Sequence, residues 1–296
     1  MNERTKTLFI LHVAVFLAGW TGIFGRWISL AGLPLVWYRV IVSVIVMTVV
    51  MGIGGKLHRM PWHSVRRIAA CGFLLAMHWV AFYASIKASN VSVGVACIAT
   101  SCFFTTLFDP LLNRKKVSFR DIFISLIAIL GILLIFSLDV RFRAGILLGL
   151  LSAAIYSVFA LLNIRVASET GEDSSTMLMF ELVGGLLFLT CCMPVYARLE
   201  PGAAIVPAGS DIVSLLLLGS LFTIVPFLFQ IQALRKLSAF TVNVAYNLEP
   251  VYSILFAAII FDETSEVGLS FWIGVALVVA SVALQSIEAV RARGCA

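Results

Sequence analysis

The chain has 296 residues, of which 61% are hydrophobic and only 12% are charged, and its mean hydropathy is +1.06. These values exclude a water-soluble globular protein of this length. The net charge of +6 does not by itself indicate a nucleic-acid-binding protein, because basic residues also collect at the cytoplasmic ends of membrane helices. We therefore expect an all-α integral membrane protein with no nucleic-acid partner.

Apolar runs of about 20 residues recur along the chain, and each is long enough to cross about 30 Å of hydrocarbon as an α-helix. The sequence predicts ten membrane-spanning helices and leaves no room for a soluble domain. They cover residues 7–30, 34–54, 67–87, 91–112, 119–138, 144–164, 176–197, 211–233, 239–261 and 268–288.

Lysine and arginine residues are unequally distributed between the two sides of this topology. With a cytoplasmic N-terminus, 15 of the 21 face the cytoplasm, four face outward, and Arg26 and Arg39 lie within helices. This asymmetry follows the positive-inside rule, so both termini are predicted to be cytoplasmic. The first apolar run is too long for a signal peptide and has no small-residue cleavage site, so we expect it to be retained as the first helix.

The first two helices carry both basic residues that the topology places within the membrane. Arg26 and Trp27 lie near the outer end of the first helix, where snorkelling and aromatic-belt placement explain the pair. Arg39 lies in the second helix, and it either pairs with a carboxylate across the bundle or extends outward. Trp20 is a candidate for the wall of a binding site.

Polar residues of the third, sixth and seventh helices differ in predicted depth. His78 lies about 16 Å from the inner end of the third helix, close to the bilayer midplane. Trp79 and Tyr83 follow it, and Tyr156 lies near the middle of the sixth helix. Glu181 lies about 8 Å inside the seventh helix, a depth that we expect water to reach.

The fourth helix carries a stripe of small residues that includes Ser101. Such a stripe suits either close helix contact or the wall of a cavity.

Residues 241–263, TVNVAYNLEPVYSILFAAIIFDE, combine an apolar helix with polar groups that lipid does not readily tolerate. Four of these residues share one helical face: Asn243, Tyr246, Asn247 and Pro250. Glu249 lies beside this face, about 15 Å into the ninth helix and so at the depth of His78. A carboxylate in hydrocarbon usually faces a bundle interior or a water-filled cavity. Pro250 should free the carbonyl of Tyr246 for another partner.

A histidine and a carboxylate at one depth are candidates for exchanging protons with a gradient. A permanent hydrogen bond to a neighbour explains His78 equally well.

The two halves of the chain are organised alike. Residues 92–132 align with residues 241–281 at a constant offset of 149, and each segment has a helix opening with Ser or Thr, a short charged break and a second apolar helix. Identities are few, so the matching lengths and polarity carry the comparison. With five helices in each half, the repeats enter the membrane from opposite sides, as in secondary transporters. We assign residues 1–138 to the first repeat and 139–296 to the second.

Three segments resemble the EamA-like family of the bacterial drug/metabolite transporter superfamily. They are LPLVWYR at 33–39, HWVAFYASIKASNVSVG at 78–94 and YNLEPVYSILFAAIIFDE at 246–263. The resemblance covers nearly the whole chain, and it implies two inverted five-helix repeats and alternating access in a bacterial cytoplasmic membrane. It also implies a central cavity walled mainly by helices 1, 3, 4, 6, 8 and 9.

The first half departs from the family pattern. Where the second half has Pro250 and Glu263, the aligned positions are Ser101 and Arg114, so only the second half is typical of the family. This difference weakens an argument from strict symmetry between the halves and leaves the fold assignment unchanged.

The residues and the resemblance together predict a secondary active transporter that exports a small organic metabolite such as an amino acid. The candidate substrate-binding residues are Trp20, His78, Trp79, Tyr83, Ser101, Tyr156, Tyr246 and Asn247, and the candidate proton-coupling residues are Glu249 and His78. Asn247 and Glu249 are also candidates for binding a substrate amine. We expect the substrate, lipid and protons as partners, no metal or cofactor, and a monomer or a homodimer.

Other functions fit parts of the sequence. Broad-specificity drug or cation efflux would use the same fold. A non-transporting membrane subunit is disfavoured because packing alone rarely retains polar residues at mid-membrane depth. An enzyme is disfavoured because the sequence contains no HExxH, GxSxG, CxxC or paired-aspartate motif. No ATP-binding loop of the form GxxxxGK[ST] occurs, so a gradient should drive the transport.

Overall fold

The computed structural model describes residues 3–55, 60–113, 142–234, 248–263 and 268–294, together with isolated positions from 123 to 134 and from 236 to 246. Within these residues every regular element is a helix and none is a strand. The predicted all-α class is therefore confirmed for the described part of the chain.

The helices begin and end as follows. They are α1 (Glu3–Gly19), α2 (Thr21–Trp27), α3 (Gly32–Ile53), α4 (Trp62–Ala88), α5 (Val91–Ala99), α6 (Ser101–Asn113), α7 (Arg143–Thr170), α8 (Ser174–Leu199), α9 (Gly209–Gly219), α10 (Ile224–Leu234), α11 (Glu249–Phe261) and α12 (Leu269–Gly294).

Seven stretches of the described chain are long and apolar enough to cross a membrane. They are Glu3–Trp27, Gly32–Ile53, Trp62–Ala88, Val91–Leu112, Arg143–Thr170, Ser174–Leu199 and Gly209–Ala233. Glu249–Phe261 and Leu269–Ser281 are shorter apolar helices. These stretches support a multi-pass membrane protein. The prediction of ten spans is not confirmed by them, since most of the predicted fifth span, 119–138, lies outside the described residues.

Three spans that we predicted as continuous helices are interrupted. The first is broken at Trp20, between α1 and α2, and the fourth at Thr100, between α5 and α6. The eighth is broken over residues 220–223, between α9 and α10. In addition, α11 begins at Glu249, after a turn at Leu248. Each break removes helical hydrogen bonds, so the freed backbone groups need partners elsewhere.

Glycines allow α4 and α8 to approach each other closely. A Cβ atom at Gly184 would lie 2.5 Å from the backbone oxygen of Ala69, and one at Gly185 would lie 2.9 Å from the backbone oxygen of Gly72. A Cβ at Gly72 would collide with the backbone of Glu181. Only small residues permit such backbone contact between membrane helices.

This contact also decides the environment of Glu181. Its side chain accepts a hydrogen bond from Asn163 Nδ2 at 2.5 Å, and the residue is 2% exposed. Our prediction that water reaches Glu181 is wrong, because the packing of α4 on α8 covers a position whose depth alone suggested access. Depth along a helix does not say which face of that helix is covered.

A capped turn joins α7 to α8. Gly171 follows α7 in the left-handed conformation with a φ of +69°, and Asp173 Oδ1 accepts hydrogen bonds from the backbone nitrogens of Ser175 and Thr176 at 2.9 and 3.4 Å. Burial alone would raise the pKa of Asp173, but the hydrogen bonds to its carboxylate outweigh burial and hold that pKa below its ordinary value. The cap fixes the start of α8.

Candidate functional site

Hydroxyl groups of neighbouring helices bind carbonyl oxygens at the helix breaks. Ser253 Oγ donates to the backbone oxygen of Gly19, the last residue of α1, at 2.5 Å. Ser43 Oγ donates to the backbone oxygen of Gly219, the last residue of α9, at 2.7 Å. Irregular backbone at membrane depth is tolerated only where it is buried in protein or lines a cavity. The satisfied carbonyls indicate that the breaks are stable features of the fold.

The breaks border one region of the molecule. The ring of Trp20 lies with its centroid 6.2 Å from that of Phe222 and 4.7 Å from that of Phe256, so the first break meets the third and α11. Ala99, at the second break, and Pro250, at the start of α11, line the same small gap. We call the region bordered by Trp20, Thr100, Thr223 and Glu249 the central site.

Arg39 of α3 lies beside the central site and is 4% exposed. Its Nε donates to Thr223 Oγ1 at 3.0 Å, and its Nη1 donates to the Tyr83 hydroxyl at 2.8 Å. The guanidinium carbon lies 4.0 Å from the centroid of the Trp79 ring, a cation–π contact. Tyr83 in turn donates to the backbone oxygen of Thr21 at 3.4 Å. Neither of our predictions for Arg39, a carboxylate partner or an outward extension, is found within the described residues.

Glu249 is partly buried at the first position of α11. Its carboxylate interacts electrostatically with Arg39. Pro250 follows it in the first helical turn, where the missing N–H of proline removes no helical hydrogen bond. We expected Pro250 to disturb a continuous helix, whereas the structure begins a new helix at this point.

The Tyr246 hydroxyl donates to the backbone oxygen of Pro226 at 3.3 Å. The candidate Asn247 lies outside the described residues.

His78 of α4 packs against Ser152 and Tyr156 of α7. His78 is 7% exposed, and its Nδ1 lies 2.9 Å from Ser152 Oγ and 3.1 Å from the Ser152 backbone oxygen. The centroid of its ring lies 4.9 Å from that of Tyr156. His78 therefore has the hydrogen-bonded neighbour that one of our two interpretations requires.

Ser101 contacts α7 through its backbone, which accepts a hydrogen bond from Ser157 Oγ at 2.7 Å. The structure thus places Trp79 and Tyr83 against Arg39, and Trp20 against Phe222 and Phe256. His78 and Ser101 instead contact α7, the helix that carries Tyr156.

Sequence reasoning missed Ser152 and Thr223. The signal for Thr223 is its position three residues before Pro226, because a proline in the first turn of a helix suggests a break before it. No comparable signal marks Ser152.

An ion pair closes the end of the bundle at which α2 ends and α5 begins. Glu263, 1% exposed, accepts hydrogen bonds from the backbone nitrogens of Val91 at 3.0 Å and Ser92 at 2.8 Å. Arg26 Nη1 lies 2.5 Å from Glu263 Oε1. We expected snorkelling and aromatic-belt placement to explain Arg26, and the structure adds an ion pair with the carboxylate that caps α5. We call this arrangement the Glu263 clamp.

Replacement of Glu263 with alanine should destabilise the protein by about 1–3 kcal/mol, because buried backbone N–H groups lose their acceptor. The measurement is thermal unfolding of the purified protein in mild detergent. Arg26→Ala, which leaves both backbone hydrogen bonds intact, should have a smaller effect. Equal losses in the two variants would show that the ion pair, and not the helix cap, carries the stabilisation.

The chain matches known proteins over almost its full length. The EamA-like transporter family matches residues 5–137 and again residues 143–287. The comparison with curated proteins found no significant match. Among 25 matching chains of solved structures, one described only as a crystal structure of a protein superposes with a TM-score of 0.63. That match covers 97% of this chain and 99% of the other at 16% sequence identity, which shows a shared fold.

The family match decides the broad class of the protein. Members of this family are membrane transporters and not enzymes. Two matches that together span most of the chain place the protein in the EamA-like transporter family.

Proposed function

We propose that the protein is a secondary active transporter that moves a small organic metabolite, such as an amino acid, outward across a bacterial cytoplasmic membrane. The observation that carries this proposal is the meeting of two broken spans at Arg39, which donates to Thr223 at one break and to Tyr83, itself bonded to the backbone of Thr21 beside the other. Broken helices that meet around buried polar groups are the usual construction of substrate sites in secondary transporters. Charged residues within membrane segments likewise mark substrate or ion pathways.

The proposed architecture is ten helices in two inverted repeats, 1–138 and 139–296, with both termini in the cytoplasm. One feature of the structure supports the repeats. Thr100, at the break between α5 and α6, aligns with Glu249, at the start of α11, under the offset of 149 that relates the two halves. Both halves therefore interrupt a span at the aligned position, as expected if the repeats build one site between them.

The proposed roles follow from the chemistry of each side chain. Aromatic rings of Trp20, Trp79, Tyr83 and Tyr246 supply an apolar wall with hydroxyl and indole groups for orientation. Glu249, assisted by Asn247, binds a substrate amine. Protons couple to transport at Glu249 or at His78. The second group of His78, Ser101 and Tyr156 extends the substrate path along α7.

The test is thermal unfolding of the purified protein in mild detergent against amino acids, nucleosides, polyamines and aromatic drugs. A ligand of the folded state raises the melting temperature by mass action. We expect amino acids to raise it, and the active compounds to be transported by proteoliposomes under an imposed pH gradient. Stabilisation by cationic drugs alone would favour broad-specificity efflux. Absence of both stabilisation and flux with every class would overturn the proposal.

A further inference from the structure

Arginine side chains collect where α4 begins and α7 ends. Glu169 of α7 forms an ion pair with Arg67 of α4, and it accepts a hydrogen bond from Arg165 Nε at 3.0 Å. The side chains of Arg67 and Arg165 are 44% and 56% exposed. One carboxylate cannot neutralise two guanidinium groups, each of which carries five N–H donors. This group of residues therefore keeps an excess positive charge at the surface of the protein.

Arg66 adds a further cation at the same end of α4. It is exposed, and it makes no ion pair with any residue that the structure describes. Trp62 lies four residues before it, so the two side chains share one face of the helix. Trp62 is 71% exposed. An exposed face that combines an aromatic ring with a cation is typical of the boundary between membrane and water.

Apolar packing holds the two helix ends beside each other. Ile68, next to Arg67, is fully buried, and Val166, next to Arg165, is 7% exposed. Both belong to one apolar cluster that α4, α7 and α8 share. The arginines of α4 and α7 are thus brought to the same place by the fold itself. We call Arg66, Arg67 and Arg165 the arginine cluster.

The lengths of α4 and α7 place the arginine cluster at the level of lipid headgroups. The helices have 27 and 28 residues, so each is roughly 40 Å long at about 1.5 Å per residue. The hydrocarbon core of a bilayer is about 30 Å thick, and the bilayer with its headgroups is about 40–45 Å thick. The end turns of both helices therefore extend into the headgroup layer, and long arginine side chains reach it from the boundary.

We propose that the arginine cluster binds the phosphate of an anionic phospholipid, in the cytoplasmic leaflet under the proposed topology. Guanidinium groups match the geometry of a phosphate and donate charge-assisted hydrogen bonds to it. Basic pockets between membrane helices at the cytoplasmic side suit anionic headgroups. Ile164, beside Arg165, is 70% exposed and offers an apolar surface to an acyl chain of the same lipid. This lipid site is independent of the substrate path, so it does not rest on the proposed transport function.

The experiment is thermal unfolding of the full-length protein in mild detergent with increasing amounts of phosphatidylglycerol. Phosphatidylcholine with the same acyl chains is the neutral comparison. A lipid that binds the folded state raises the melting temperature by mass action. We expect phosphatidylglycerol to raise it in a saturable manner and phosphatidylcholine to have a smaller effect. Inorganic phosphate should not reproduce the effect, because it has no acyl chain for the apolar surface.

The first two variants are Arg66→Gln and Arg165→Gln. Both residues are exposed, so each variant should fold. In each, the phosphatidylglycerol concentration for half-maximal stabilisation should rise about fivefold, the effect of one cation at an anionic surface. Arg198→Gln is the matched control, since Arg198 is an exposed arginine in the last turn of α8. It should keep the response of the wild type.

Glu169→Gln separates lipid binding from a merely structural role of the ion pairs. It removes a negative charge and frees two guanidinium groups for the phosphate, so the half-maximal phosphatidylglycerol concentration should fall about fivefold. If the ion pairs served only to join α4 to α7, Glu169→Gln and Arg165→Gln would lower the melting temperature alike, with or without lipid.

Three results would overturn the inference. The first is equal stabilisation by the two lipids. The second is an unchanged half-maximal concentration in both Arg66→Gln and Arg165→Gln. The third is full stabilisation by inorganic phosphate, which would assign the arginine cluster to a soluble anion. None of these results bears on transport, which the flux measurements test separately.

Discussion

Glu249→Gln is expected to abolish proton-driven transport while the protein stays folded. Glutamine keeps the size and hydrogen-bonding ability of the side chain but cannot exchange a proton or attract an ammonium group. Glu249 is the carboxyl group at the first position of α11, next to Pro250, so this change removes the ionisable group from that point of the central site. The measurement is uptake of a stabilising compound into proteoliposomes with an imposed pH gradient, compared with the wild-type rate.

The matched control for this variant is Glu200→Gln, since Glu200 is an exposed acid at the end of α8. Its transport should equal that of the wild type. Normal gradient-driven uptake by Glu249→Gln would remove Glu249 from the coupling role. His78→Gln would then be the next variant to test, and loss of coupling there would transfer the role to the group on α7.

The second large effect that we expect is a loss of folding stability when the close contact between α4 and α8 is obstructed. Gly184→Leu should prevent α4 and α8 from packing, because even the first side-chain carbon would lie 2.5 Å from the backbone oxygen of Ala69. Overpacking of a tight core destabilises by about 1–3 kcal/mol, and a collision with backbone atoms belongs at or above the upper end of that range. We expect the variant to aggregate or to unfold well below the wild-type melting temperature.

Gly202→Leu is the control for Gly184→Leu, because a Cβ at Gly202 would meet no atom within 4 Å. Its melting temperature should match that of the wild type. A Gly184→Leu variant that eluted as a monodisperse peak with an unchanged melting temperature would contradict the close helix contact described here.

The fold class could be predicted from the sequence because it depends on composition and on the length of apolar runs. The helix breaks could not be predicted in the same way, since tertiary contacts stabilise them. At the break at Trp20, the carbonyl oxygen of Gly19 accepts a hydrogen bond from Ser253, which is 234 residues away in the chain. An apolar run contains no local sign of such a distant partner. Pro226 lies just after the break between α9 and α10, and Pro250 lies in the first turn of α11, so these prolines were the local signs available.

The candidate site was predicted in part, for a geometric reason. Counting residues along a helix gives depth in the membrane, and His78 is buried within α4, whereas Glu249 is partly buried at the first position of α11. Depth does not give the direction in which a side chain points around the bundle. Consequently the sequence could not place His78 against Ser152, nor surround Arg39 with neutral partners. The pairing of Arg26 with Glu263 was missed because it joins residues that no local spacing relates.

The Glu263 clamp constrains how the bundle can move. One carboxylate holds the end of α2, the first turn of α5 and the segment after α11 together. Any motion that separates these three segments must release an ion pair and two backbone hydrogen bonds in a single step, and must hydrate a carboxylate that is 1% exposed. Separation of these segments should therefore be cooperative, because all three interactions share the one carboxylate of Glu263. If the protein transports as proposed, this end of the bundle would open only when the three interactions are released together.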